Sequence, residues 1–169
     1  TGKGTSASHL TWSEDKFVEG EATIIELSGV NKKYHCPMAR TVLLGKPDQK
    51  KIDTMKKTNE ALQAGIDLVK TGNTADDVAQ AFWKVLDKYG IEKTSRTGYS
   101  IGIGYPPDWG VHTLNISKGD MTVLQSNVTF HMIAVMQFGE WGVEASESVR
   151  VTEKGSELFC NLSRELHIK

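Results

Sequence analysis

Two glutamates stand in surroundings that disfavour a charge. Glu26 falls within Ala22-Thr-Ile-Ile-Glu-Leu27, an apolar and β-branched run. Burying an unpaired carboxylate is costly, so Glu26 must be paired, protonated or turned toward a cavity. Glu147 lies in Val143-Glu-Ala-Ser-Glu-Ser-Val-Arg-Val-Thr152. Strand alternation there places Glu147, Val149 and Val151 on one face and Ser146, Ser148 and Arg150 on the other. A carboxylate sharing a face with two valines reads as a site residue. At each position a plain alternative stays open, a strand glutamate paired with lysine or arginine. His9, in a loop, is by itself weak evidence.

The elements that must hold these residues follow from periodicity. Ala22 to Leu27 predicts a strand, Ser28 to Lys32 a turn, and Tyr34 to Leu44 a second strand. Gln49 to Lys70 carries Ile52, Met55, Leu62, Ile66 and Val69 at helical spacing, with Gly72-Asn73 ending the helix. Thr74 followed by Asp77 predicts a capping box, and Val78, Phe82, Val85, Leu86 and Tyr89 line one face before Gly90. Thr129 to Gln137 and Gly142 to Thr152 predict an antiparallel pair. Strand pairs with helices between them define an α+β domain, a curved antiparallel sheet backed by helices on one face.

Composition narrows the function. The chain has 169 residues, 38% hydrophobic and 24% charged, with a formal net charge of −1. That suffices for one core, with no basic footprint for nucleic acid or an anionic membrane. No apolar run approaches the roughly 18 residues of a membrane span, and no signal-peptide pattern opens the chain, so it reads as cytoplasmic. Cys36 and Cys160 have neither disulfide-framework nor zinc-site spacing, and Cys160 reads as a buried thiol. Because the sequence opens at Thr1 with a loop-like stretch, residues 1–169 are expected to be one partial catalytic domain of a longer protein.

Several segments in order carry a resemblance: His9-Leu-Thr-Trp12, Glu19-Gly20-Glu21, the strand at Glu26, Lys33-Tyr34-His-Cys-Pro-Met-Ala-Arg40, the helical pair, Thr97-Gly-Tyr-Ser-Ile-Gly102 and Glu147-Ser-Val-Arg-Val-Thr152. Together they resemble the pita-bread hydrolases, which include prolidase, aminopeptidase P, methionine aminopeptidase and creatinase. With Tyr105-Pro-Pro-Asp-Trp-Gly110 added, the chain looks most like the ectoine hydrolases, a metal-independent branch near creatinase. Metallopeptidases of this family bind paired metals through aspartates, a histidine and glutamates. On this chain those positions fall on Glu26, Pro37, Tyr99, Ile133 and Glu147. Proline and isoleucine offer no ligand atom, so the resemblance implies no cofactor and no metal site.

What the resemblance implies instead is hydrolysis of a carbon–nitrogen bond in a small amidine such as ectoine. His9 would transfer protons, because imidazole titrates near neutrality. Glu26 and Glu147 would face the cationic amidine, and Glu26 could alternatively attack its carbon. Tyr34, Tyr99, Asp108 and Trp109 would bind substrate, Trp109 by stacking on the amidine plane. Arg40 is expected to pair with an acidic neighbour, while His112, His131 and His167 have no assigned partner. The family also implies a small-molecule substrate, a homodimer for the full-length protein, and no nucleic-acid or membrane partner. A metal-dependent Xaa-Pro peptidase and a non-catalytic binding protein are the competing readings.

Overall fold

A computed structural model describes residues 1–169. A short 3-10 helix, Gly2–Ser6, precedes strands β1 (Ala22–Asn31) and β2 (Tyr34–Leu43), which pair antiparallel along their whole length. Their turn is tighter than the sequence implied. Ser28 to Asn31 continue the strand, and only Lys32 and Lys33, at φ 49° and 70°, make the reversal. Positive φ at both central residues is what a two-residue hairpin turn of type I′ requires.

Helices α1 (Gln49–Asp67) and α2 (Ala75–Lys88) follow. Asp48 caps α1 by accepting the Lys51 amide, and Thr74 and Asp77 form the expected capping box on α2. Strands β3 (Gly98–Tyr105) and β4 (Asp108–Ile116) form a hairpin whose tip is Pro106-Pro107, and β5 (Thr129–Gln137) pairs with β6 (Gly142–Thr152) in unbroken register. Short strands β7 (Gly155–Leu158) and β8 (His167–Ile168) finish the sheet.

The sheet runs β1-β2-β3-β5-β6-β7, with β4 joined to β3 and β8 to β2. Although β3 and β5 separate β2 from β6 in that order, the two are bonded directly. The Ala39 amide donates to Ser146 Oγ at 2.6 Å, Thr41 Oγ1 donates to the Glu144 carbonyl at 2.8 Å, and Ser148 Oγ donates to the Pro37 carbonyl at 2.7 Å. The sheet therefore curls. β2 and β3 meet at a single pair, Tyr34 with Ile103.

Alternation divides β5 and β6 into two chemistries. Phe130, Met132, Ala134 and Met136 of β5, with Val143, Ala145, Val149 and Val151 of β6, pack against Met55, Leu62, Ile66, Val78, Phe82 and Leu86 of the helices. The opposite set, His131, Ile133 and Val135 facing Ser148, Ser146 and Glu144, looks away from the helices. Directly opposed residues of an antiparallel pair share a face, so this second set builds one wall.

Candidate functional site

That wall borders a cavity of about 800 Å³, a volume typical of small-molecule sites. Ile24 and Glu26 of β1, Tyr99 of β3, Asp108, Trp109 and His112 of β4, Ile133 and Val135 of β5 and Glu144 of β6 line it. The N-terminal segment supplies His9 and closes one side. Its position is fixed by two contacts: Thr1 Oγ1 meets Thr23 Oγ1 at 2.9 Å, and Thr5 Oγ1 accepts the Gly142 amide at 2.7 Å. A side chain at position 142 would come within 2.3 Å of the Thr5 carbonyl, so glycine is what allows this approach. His9 itself sits at φ 58° in the turn that follows.

The cavity's electrostatics centre on two carboxyl groups. Glu144 is 7% exposed. Burial, reinforced by the negative charge of Glu26, pushes its carboxyl up to about 8, with Lys93 pulling it back. Glu26 keeps a solvent-facing edge, yet partial burial raises its carboxyl as well, and His9 opposes that shift. Two carboxyls that share a space cannot both ionise freely. Near neutrality Glu144 holds a proton, and Glu26 is the member more able to carry charge. Arg96 adds a cation, its guanidinium 4.5 Å from the Tyr99 ring centroid while also lining the cavity.

Tyr99 sits at the end of a polar chain. Trp109 Nε1 donates to its hydroxyl at 2.6 Å, and that hydroxyl lies 2.9 Å from His131 Nδ1. His131 Nε2 lies 2.6 Å from Ser146 Oγ. The β3–β5 register, which puts Tyr99 opposite His131, is what brings the rings together. His131 has no exposed surface, and burial holds its imidazole down at about 3, so it is neutral. At the rim Asp108 accepts the Gly110 amide at 2.8 Å and meets His112 Nε2 at 2.6 Å, so it shapes the turn while facing the cavity.

Of the residues selected from sequence, His9, Glu26, Tyr99, Asp108 and Trp109 reach this cavity, and two do not. Glu147 points to the helix side. Arg40 Nη2 donates to its Oε1 at 2.7 Å, and Arg164 Nε lies 3.6 Å from the same oxygen. Alternation holds along β6, and the valines beside Glu147 mark the helix core rather than the cavity. At this position the plain alternative, a glutamate paired with arginine, is the arrangement found. Tyr34 lies at the β1–β2 turn, 59% exposed, on a separate groove with Val30, His35 and Phe159. Cys160 is half-buried rather than buried, its thiol against Met38 Sδ.

The residues that sequence reasoning missed are Glu144, Arg96, His131 and Ser146. One signal was available for two of them. If Ile133 holds a site position, its partner across the β5–β6 register must face the same way; that partner is Ser146, and Glu144 follows two residues earlier.

Comparison with known proteins agrees with the fold. Residues 1–153 match the model of metallopeptidase family M24, and the chain belongs to that family. It is 41% identical over 170 residues to the ectoine hydrolase of Halomonas elongata, covering all of this chain and 43% of that protein. In structure it is similar to dipeptidase PepE from Mycobacterium ulcerans, with a TM-score of 0.91 and 27% identity over 99% of this chain and 45% of that one. Prolidase from Thermococcus sibiricus shares the fold, with a TM-score of 0.90 and 24% identity over 99% and 45%. The chain thus spans less than half the length of these relatives.

The family name implies a metal, and the residues present do not fit one. No group of three or more His, Cys, Asp and Glu side chains is arranged to hold an ion. Ile133 contributes only hydrocarbon to the cavity, and position 37 is proline. Ser146, opposite Ile133, has its oxygen taken by the Ala39 amide and His131, and both nitrogens of His131 are engaged.

Proposed function

We propose that this chain forms the catalytic part of a metal-independent hydrolase that opens a carbon–nitrogen bond in a small amidine such as ectoine. The observation that carries the reading is the carboxyl pair Glu26 and Glu144 in one cavity: burial raises both, Glu144 to about 8, while His9 opposes the rise on Glu26. Paired titratable groups whose environments drive them apart divide the acid and base roles between them.

An amidinium is cationic and planar, and its central carbon is already electrophilic. Ionised Glu26 complements that charge. His9 takes the proton of a water attacking the carbon, and the tetrahedral adduct collapses with cleavage of one C–N bond. The departing nitrogen accepts the Glu144 proton, the hydroxyl proton of the adduct restores Glu144 as the amide carbonyl forms, and His9 returns its own to solvent. In the covalent variant Glu26 attacks the amidine carbon, one nitrogen leaves as the amine, and His9 activates a water that attacks the Glu26 carboxyl carbon, so the product amide keeps an oxygen of Glu26 and the carboxylate takes one from water. The two routes differ in one observable, since turnover in ¹⁸O-labelled water leaves label on Glu26 only in the covalent case.

Ectoine also carries a carboxylate, and the cavity answers it with Arg96 and the Tyr99 hydroxyl. The 41% identity with an ectoine hydrolase supports this substrate over a peptide. By the same resemblance the full-length protein is proposed to work in the cytoplasm as a homodimer. The test is to incubate metal-stripped full-length protein with ectoine and assay for the ring-opened acetylated diaminobutyrate. Product without added metal is the expected result; absence of product from either ectoine or creatine refutes the reading.

A further inference from the structure

The hydrogen-bond chain behind Tyr99 determines where its proton points. We propose that Ser146 and His131 are positioning residues that fix the Tyr99 hydroxyl as a hydrogen-bond donor into the cavity, where it meets an oxygen of the ligand's carboxylate. This rests on the amidine-hydrolase reading for the identity of the ligand, but not for the direction of the protons.

The direction follows from groups that have no choice. A backbone amide and an indole nitrogen can only donate. The Ala39 amide donates to Ser146 Oγ at 2.6 Å, and Trp109 Nε1 donates to Tyr99 Oη at 2.6 Å. Ser146 is fully buried, and the only other partner of its hydroxyl is His131 Nε2 at 2.6 Å. Its hydroxyl proton must go there, because otherwise it is stranded away from any acceptor. His131 Nε2 is then an acceptor, so a neutral imidazole carries its proton on Nδ1 and donates it to Tyr99 Oη, 2.9 Å away.

Tyr99 Oη now receives two donors, from Trp109 and His131, and its own proton has only the cavity to face. Burial keeps that proton in place by pushing the phenol up to about 12. The reverse tautomer would turn the Tyr99 proton onto Nδ1, leave the Ser146 proton without an acceptor, and withdraw the Tyr99 donor from the cavity. Ser146 therefore reaches the ligand's carboxylate through two intermediaries without touching it.

The first test needs no variant. In histidine-¹⁵N-labelled full-length protein at neutral pH without ligand, His131 should show a protonated Nδ1 and an unprotonated Nε2. The opposite pattern, or a doubly protonated ring, overturns the proposal whatever the substrate proves to be. The second test uses ectoine. Tyr99→Phe and Ser146→Ala should each raise KM about tenfold, the weight of one hydrogen bond to a charged acceptor. Combining them should add little, and kcat should change less than KM. An unchanged KM in Tyr99→Phe overturns the ligand contact even if the tautomer is as expected. If ectoine is not turned over at all, the functional reading has failed, and the nitrogen spectrum still decides the proton direction.

Discussion

Glu144 and Glu147 lie in the same strand and are both buried, 7% and 1% exposed, yet they face opposite sides of the sheet and meet opposite treatment. Glu147 is held by Arg40, which also donates to the carbonyls of Ala39, Ser146, Leu162 and Ser163. It is a tie between β2, β6 and the C-terminal segment. Glu144 has no such partner, and its strongest electrostatic neighbour is another carboxylate, Glu26. Pairing makes a buried acid structural; withholding the pair leaves one whose proton is available. Residue type and burial alone do not separate these outcomes.

The sharpest way to break that contrast is to neutralise each acid in turn. Glu144→Gln removes the proton donor and should lower kcat about 10²- to 10⁴-fold, the usual weight of general acid catalysis, with the fold intact by circular dichroism. Glu147→Gln should leave kcat near wild type. Equal losses in both variants would dissolve the distinction. Stability should respond in the reverse order. Arg40→Ala strands the Glu147 carboxylate and should cost about 3–5 kcal/mol in urea unfolding, the range for breaking one side of a buried pair.

This contrast also marks how far the sequence could be read. β5 and β6 begin and end at the residues expected, because their periodicity and bounding turns are local signals. The capping box on α2 is local as well. His9, Glu26, Tyr99, Asp108 and Trp109 all line one cavity. Alternation identified two faces of β6, but nothing local states which face the helices will cover. That depends on docking of α1 and α2, a long-range event. The same limit hid His131, whose partners Tyr99 and Ser146 belong to other strands.

pH offers a finer test of the same pair. The Glu144 carboxyl lies at about 8 in the folded protein, above its ordinary 4.5. The native state therefore binds more protons than the unfolded chain between these values, and stability falls as pH rises through that window. The contribution is complete below 4.5 and lost above about 8. Below 6.5 the buried neutral His131 contributes the opposite slope, so the test lies between about 6.5 and 8, where urea midpoints should fall in the wild type and flatten in Glu144→Gln. The profile of kcat/KM should descend near the same upper value, since the acid form does the work. A flat wild-type profile between about 6.5 and 8 would mean that Glu144 is not held protonated by burial.

The smallest expected effect is none at all. Chelation should leave turnover of ectoine unchanged, and added manganese, cobalt or zinc should not raise it. The reason lies in the donors. A hard or borderline dication needs several oxygen or nitrogen ligands converging on one point. On the cavity side of β5 and β6 the opposed pair is Ile133 with Ser146, one without a donor atom and one already saturated. Glu147 cannot substitute, because turning it to the cavity would exchange it with residues of the helix core and strand Arg40 and Arg164. Loss of activity on chelation, restored by stoichiometric metal, would require Glu26 and Glu144 to bind an ion together and would place both in their charged forms. The downward stability slope toward pH 8 would then vanish in the metal-loaded protein, so the two measurements must agree.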